Sequence, residues 1–527
     1  MNVLTVTIWL IAACCVCSFA QITQPYRFEK ELRFTDHEYM IIPRGNQGLA
    51  LVRETNTFKA GNRTWEVILL DTTLAEQKAR TIEVDQRKNL LGYEHHNHSL
   101  QLLFGLADNQ MRSLFTLFEM TTDTLQRWEI EPEINFMLTQ FTKVGKNFLL
   151  GGYMNSEPAI LLFKPESKSL KVLPGLFQKN TDLLDLRTNE NNTFTVLLMD
   201  RQDRNNRKLL LRIFDSEGVE LFQNQVNMGN RKAPQTCLVS TLKREDMLVA
   251  GTWGVPHSRQ SMGFFALAVD PFQNQEPRLY ALGQLAHYLD HLKEKKRQRI
   301  QERTAALIKA DRLPDYLDHV RPIRLEETEK GFILLAEVFI PSSAPGRDPF
   351  MNPYGLYPYP YPTFFPYNPM LYYPPIYSRW YNPFYPLDNS RDQDNVKVIR
   401  SAVLAFNTKG NLLWDYSFIL EDIRLASINQ MSDFCISNDS LYILYKKKSH
   451  LHVKKVNLQN QETAEEVIPV KLGGSDDELR QEKDRDEYVR FWRDKTLYVW
   501  GVQTIRNRNR ANDISRQVFY INAVRVP

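Results

Sequence analysis

Along most of this chain the apolar residues fall in short runs of roughly four to eight rather than at helical spacing. The clearest case is residues 395–418, NVKVIRSAVLAFNTKGNLLWDYSF. Val398, Ala402, Leu404 and Phe406 suit one strand, and Leu412, Leu413, Trp414, Tyr416 and Phe418 begin another. Between them, Asn407-Thr408-Lys409-Gly410-Asn411 supplies residues that tolerate a left-handed turn. The same strand–turn–strand unit recurs at 209–222, around Asp215-Ser216-Glu217-Gly218, and more loosely at 264–280.

Further strands are expected at 39–42, 49–52, 65–70, 81–84, 100–104, 115–118, 148–153, 159–163, 194–199, 209–214, 247–250 and 264–269. A second group follows at 332–339, 402–406, 441–445, 451–456, 496–500 and 518–526. So many short strands exceed what one sandwich uses, whereas four-stranded propeller blades need that many. The expectation is an all-β fold, a single large β-propeller over 21–527, with seven blades of about seventy residues as the first choice. Six or eight blades stay open, and a pair of β-domains is the rival architecture. Residues 518–526 are expected to complete the blade begun near the N-terminus.

The unit AFNTKGNLLWDYSF, followed by SLYILYKKK, resembles blades of bacterial β-propellers, including large exported propeller-like proteins of the Bacteroidetes. That resemblance implies a repeat architecture and carries no catalytic signature.

Two segments interrupt the strands. Residues 282–312 carry the strongest helical pattern, with Leu285, Leu289, Leu292, Ile300, Ala305 and Ile308 on one stripe and many Lys and Arg facing out. This reads as a helix laid on the propeller, with a partner-binding or membrane-surface helix as the alternative. The second segment, 341–395, is rich in proline and tyrosine. Residues 341–390 hold 13 of the 27 prolines and 10 of the 23 tyrosines, so neither a helix nor an internal strand can form there. Its aromatics are the expected interaction residues: Tyr357, Tyr359, Tyr361, Phe364, Phe365, Tyr367, Tyr372, Tyr373, Tyr377, Trp380, Tyr381 and Tyr385. They offer large contact area with few rotatable bonds, for a protein partner or a glycan, or for a plug packed on the propeller itself.

Residues 1–20 are apolar and uncharged, with Ser18-Phe19-Ala20 at the end. This is expected to be a signal peptide directing export to the periplasm or outer-membrane surface. A buried or anchoring helix is an alternative, as is a lipoprotein with the lipid on Cys14, through which the protein would touch a membrane. Only Cys237 and Cys435 follow this segment, and both sit in strand-like surroundings that suit core residues. The net charge of +4 over 527 residues is too weak to argue for nucleic acid.

Candidate chemistry is sparse. His95, His96 and His98 lie in EHHNHS, and His96 and His98 would share a face of an extended segment. His287 and His291 stand four apart on the expected helix, and His450 and His452 alternate. None has a convincing third ligand, so no metal and no cofactor is expected. There is no nucleophile elbow and no phosphate-binding loop. Glu54, Asp71, Asp200, Asp215 and Asp415 read as turn or surface carboxylates. The functional expectation is a non-enzymatic binding or scaffold protein of the bacterial cell envelope, with a propeller-fold glycan hydrolase or lyase as the alternative.

Overall fold

The computed structural model describes residues 22–33, 35–96, 98–106, 114–176, 178–203, 205–229, 231–242, 246–256, 258, 260–270, 276–341, 396–425, 430–482, 488–507 and 515–527. The expected signal peptide, Cys14 and the proline- and tyrosine-rich segment after Pro341 lie outside these residues. Among the described residues no helix is long and apolar enough to cross a membrane.

Among the described residues the strands form eight antiparallel sheets, each a propeller blade. Blades 1 to 6 span residues 40–85, 88–130, 137–172, 181–227, 233–281 and 319–425 and belong to one compact unit. Blade 7 (432–469) and blade 8 (477–525 with 27–31) belong to a second unit. The expected count of seven is therefore corrected to eight. It came from dividing the chain length evenly, but the excess length is concentrated in the two insertions. Blade 3 completes its four strands within residues 137–172.

The recurring unit reads out as the third and fourth strands of a blade. Val396–Phe406 pairs with Leu412–Leu425, Lys208–Phe214 with Glu220–Asn227, and Gly263–Val269 with Arg278–Ala281. In the first turn Asn407 Oδ1 accepts from the backbone N–H groups of Lys409 and Asn411, and Gly410 takes φ +73°. Within each unit blades stack against their neighbours, so middle strands there are buried on both faces and carry almost uninterrupted apolar runs. Asn147–Met154, for instance, is buried throughout. Separate apolar clusters lie between successive blades of the first unit, one of them around Trp65, Leu102 and Phe104, where the Trp65 and Phe104 rings meet edge to face at 5.0 Å.

In the second unit Arg27–Glu31 adds to the edge of Arg516–Arg525, so the N-terminal strand completes the last blade. Side chains fasten it. Arg27 donates to Asn522 Oδ1 at 2.8 Å and to Gln503 Oε1 at 2.9 Å, and its guanidinium lies 4.4 Å from the Tyr520 ring centre.

The helical insertion is shorter than its pattern suggests. A 3-10 turn, Leu282–Gln284, leads through irregular turns to one α-helix, α1, Glu294–Lys309. Leu285, Tyr288 and Leu289 are buried in the core of blades 5 and 6. Asp415 accepts from the N–H groups of Ala286 (2.8 Å) and His287 (2.9 Å), satisfying backbone donors that the turn leaves open.

Candidate functional site

The first strand of a blade differs from the middle strands. In five blades of the first unit it carries a β-bulge, at Leu90/Gly92, Leu138/Gln140, Leu183/Asp185, Pro234/Thr236 and Pro322/Arg324. A bulge re-aims the side chains that follow it. Polar groups placed there mostly serve the fold. Asp185 Oδ2 accepts from the Val239 N–H of the next blade at 3.1 Å, and Gln140 donates to the Leu184 carbonyl.

The exception lies where the first strands of blades 1, 2 and 3 turn into their second strands. In blade 1 this turn is the 3-10 segment Gly45–Gln47. Gly48 closes it at φ +103°, where an added Cβ would lie 1.9 Å from the Leu70 carbonyl oxygen. The turn holds Arg44 and Gln47 toward blade 2. Gln47 Oε1 accepts from Arg44 Nη2 at 3.2 Å and lies 3.3 Å from His95 Nε2. Since the oxygen only accepts, His95 bears its proton on Nε2, which leaves the Nδ1 lone pair free as a base.

His95 ends the strand Lys88–His96, and its imidazole is half-buried. Burial, reinforced by the Arg44 charge, lowers its pKa from 6.5 to about 4, so it is neutral at pH 7. Arg44 is only 4% exposed, and two of its nitrogens, Nε and Nη1, are out of water with no acceptor. An unpaired buried guanidinium nitrogen is costly, and an anionic ligand would relieve that cost.

His96 points to the other side, into the field of Glu94, Lys143 and Glu119. Burial lowers its pKa as well, and its Nε2 is buried without a hydrogen-bond partner. Beside it Glu119 Oε1 accepts from Lys143 Nζ (2.5 Å), Ser99 Oγ (2.6 Å) and Gln101 Nε2 (2.8 Å). Burial pushes the Glu119 carboxyl upward, but these three donors outweigh it and hold the pKa below the usual range.

His98 does not join His96 on one strand face. It sits in the hairpin turn at φ +69° and is exposed. His287 and His291 are not helical neighbours either, because both precede α1. His287 Nδ1 lies 2.8 Å from Asp290 Oδ2, while His291 Nδ1 accepts from Arg400 Nη1 at 2.9 Å. Arg400 also donates to Asp318 (2.6 Å) and to the Tyr288 carbonyl (3.1 Å), and Tyr288 donates to Asp318 (2.8 Å). That network docks the insertion on blade 6. His450 is exposed, and His452 stacks on Tyr445 at 4.7 Å. Cys237 and Cys435 are both buried and are not bridged to each other. Among the described residues no group of three or more His, Cys, Asp or Glu is placed to hold a metal ion.

Glu54 pairs with Arg63, Asp200 and Asp215 accept turn N–H groups, and Asp415 holds the insertion. The aromatic residues Tyr357, Tyr359, Tyr361, Phe364, Phe365, Tyr367, Tyr372, Tyr373, Tyr377, Trp380, Tyr381 and Tyr385 lie outside the described residues. Arg44, Gln47, Glu119 and Lys143 escape sequence reasoning because each belongs to a turn or strand other than the EHHNHS run. The one local signal was Pro43-Arg44-Gly45-Asn46, which reads simply as a turn.

No family model and no curated protein matches this chain. Solved structures do. The polysaccharide lyase Uly1 is similar at 9% identity and a TM-score of 0.39, covering 96% of this chain and 100% of that one. Dihydro-heme d1 dehydrogenase NirN is similar at 11% identity and a TM-score of 0.40, covering 96% and 79%. Prolyl oligopeptidase B from Galerina marginata is similar at 8% identity and a TM-score of 0.36, and this chain spans 92% of itself but 56% of that protein. Likenesses at this level transfer no active site. The similar structures include a lyase, peptidases and a dehydrogenase, which is at odds with the expectation of a non-enzymatic binding or scaffold protein, but at these TM-scores no role passes from them to this chain. The chain is an all-β propeller for which no family is shown.

Proposed function

We propose that this protein is a propeller-fold glycan lyase that acts on a uronate-containing polysaccharide. The observation that carries this reading is the pairing of a neutral, half-buried His95 with the buried and incompletely paired Arg44, bridged by Gln47. Elimination needs a cation on the uronate carboxylate, to acidify the neighbouring C–H, and an unprotonated base to remove that proton. Arg44 serves the first role and His95 Nδ1 the second. The C–H electrons form the new double bond and expel the glycosidic oxygen. The imidazolium of His95 then returns its proton to that oxygen, so the base leaves the cycle neutral and no water is consumed.

A hydrolase fits this site less well. It needs two carboxyl groups with divided roles across the bond. Glu119 is held ionised by three donors and is not available as a general acid. Export, expected from residues 1–20, would bring the enzyme to extracellular polymers.

The test is incubation with polygalacturonate, alginate, glucuronan and chondroitin, followed by ultraviolet detection of unsaturated chain ends. Unsaturated products that disappear in His95→Gln and fall sharply in Arg44→Met, with both variants folded, are expected. New reducing ends without unsaturation would favour hydrolysis, and the absence of any cleavage would refute the reading.

A further inference from the structure

The helical insertion presents a second feature that the His95–Arg44 site does not use. Residues 293–312 hold eight Lys and Arg against three Asp and Glu, an excess larger than the net charge of the whole chain. Of these, Arg297 is the one neutralised by an ion pair among the described residues, with Asp290 and Glu294. Lys295, Lys296, Arg299, Arg303 and Lys309 are exposed and have no ion pair among the described residues.

Their placement is ordered. Lys295, Arg299 and Arg303 recur every four residues and so form one row along α1, with successive charges about 6 Å apart along the axis. Thr304 is buried on the opposite side, and Ile300 packs against the core. The helix is held rigidly. Thr304 Oγ1 lies 2.6 Å from Tyr316 Oη, which also accepts from the Gly283 N–H at 2.9 Å. At Gly283 an added Cβ would sit 2.2 Å from Thr304 Oγ1, so the close approach of the 3-10 turn to α1 requires glycine. Repulsion among unpaired cations costs stability, and the fold has anchored them in place rather than dispersing them.

We infer that the outer face of α1 is a docking strip for an acidic polysaccharide; that the polymer it holds is also one that the His95–Arg44 site cleaves rests on the proposed function. Charge complementarity selects a polyanion. Ile300 packs against the core and Ile308, 40% exposed, is the one large apolar side chain of α1 that is exposed, which leaves no wide apolar face to enter a bilayer. The basic row carries no aromatic side chain on which a nucleic-acid base could stack.

The experiment uses the full chain and the variant Lys295→Gln/Arg299→Gln/Arg303→Gln, whose substitutions are exposed and should leave Tm unchanged or slightly raised. Binding to polygalacturonate, alginate and chondroitin sulfate is measured at low and high salt. Vesicles of phosphatidylcholine with phosphatidylserine and a single-stranded DNA are the comparison probes. The parent is expected to bind at least one acidic glycan in a salt-sensitive way, and the triple variant about tenfold more weakly at low salt. Equal binding by parent and variant would overturn the inference, as would no glycan binding by the parent, or binding to vesicles or DNA alone. A second variant, His95→Gln, keeps the two readings apart. It should lose turnover and retain polymer binding. Glycan binding that depends on α1 in a parent showing no cleavage would refute the lyase reading and leave the docking strip standing.

Discussion

Lys446 Nζ lies 2.5 Å from Glu482 Oε1, and both side chains are almost wholly out of water. The pair joins blade 7 to blade 8 within the second unit. Tyr520 donates to the same Glu482 oxygen at 2.7 Å, and Gln503 donates to the other at 3.3 Å. Gly501 leaves the space, since a Cβ there would approach Lys446 Nζ to 3.0 Å. Removing one partner of a buried pair strands the other charge, which costs about 3–5 kcal/mol. Lys446→Met should therefore destabilise the protein by that order in urea unfolding. The double variant Lys446→Met/Glu482→Gln should lose clearly less, because no uncompensated charge remains. Equal losses in the two variants would mean that packing rather than charge governs the site.

Acid should weaken the first unit through His95. Its folded pKa is about 4 against an ordinary 6.5. Between those values the unfolded chain binds a proton that the folded chain does not. Stability from this group is thus complete above pH 6.5 and declines as pH falls toward 4, by on the order of 3 kcal/mol. Asp182 has the opposite sign. Burial raises its pKa from 3.8 to about 6, so its contribution is present at low pH and is lost as pH rises through 6. The parent-minus-variant difference for His95→Gln isolates the histidine. That difference should change across pH 6.5 to 4 and be flat above it.

The insertion should loosen locally when Asp415 is removed. Two backbone N–H groups donate to it, and a hydrogen bond to a charged acceptor contributes about 1.5–3 kcal/mol. In Asp415→Ala, hydrogen exchange at Ala286 and His287 should accelerate at least tenfold, while amides of the Asn147–Met154 strand in blade 3 keep their protection. Unchanged exchange at Ala286 and His287 would show that Tyr288 and Arg400 hold the insertion without Asp415.

Strand legibility followed burial. Sequence runs such as 148–153 and 159–163 were read because middle strands are apolar on both faces. The first strands were mostly missed. Thr181–Thr188 carries Asp182, Asp185 and Arg187 in its buried positions and is broken by a bulge. Fourth strands were missed for the reverse reason, as in Thr463–Pro469, whose side chains are nearly all exposed. The middle-strand pairs already number eight when counted, so the error of seven lay in the assumed blade length. His95 and His96 were visible as an unusual run, but their chemistry was not, because it depends on Arg44 and Gln47 from a turn of blade 1 and on Lys143 and Glu119 from other strands.

Arg44 should govern substrate charge. If its guanidinium receives the uronate carboxylate, polygalacturonate whose carboxylates are methyl-esterified should compete poorly with the free acid on the parent. In Arg44→Met that preference should collapse toward parity as free-acid turnover falls. An undiminished preference in Arg44→Met would move the carboxylate site elsewhere.

The central claim is elimination, and oxygen-18 water tests it most directly. The polysaccharide that the parent cleaves is digested in labelled water and the oligosaccharides are weighed by mass spectrometry. Elimination predicts that every cleavage creates one unsaturated non-reducing end and one reducing end, that the fragments together gain no water, and that they carry no label beyond slow exchange at the reducing end. Saturated fragments with one labelled oxygen fixed at each cleavage, or an undigested polymer, would contradict the account.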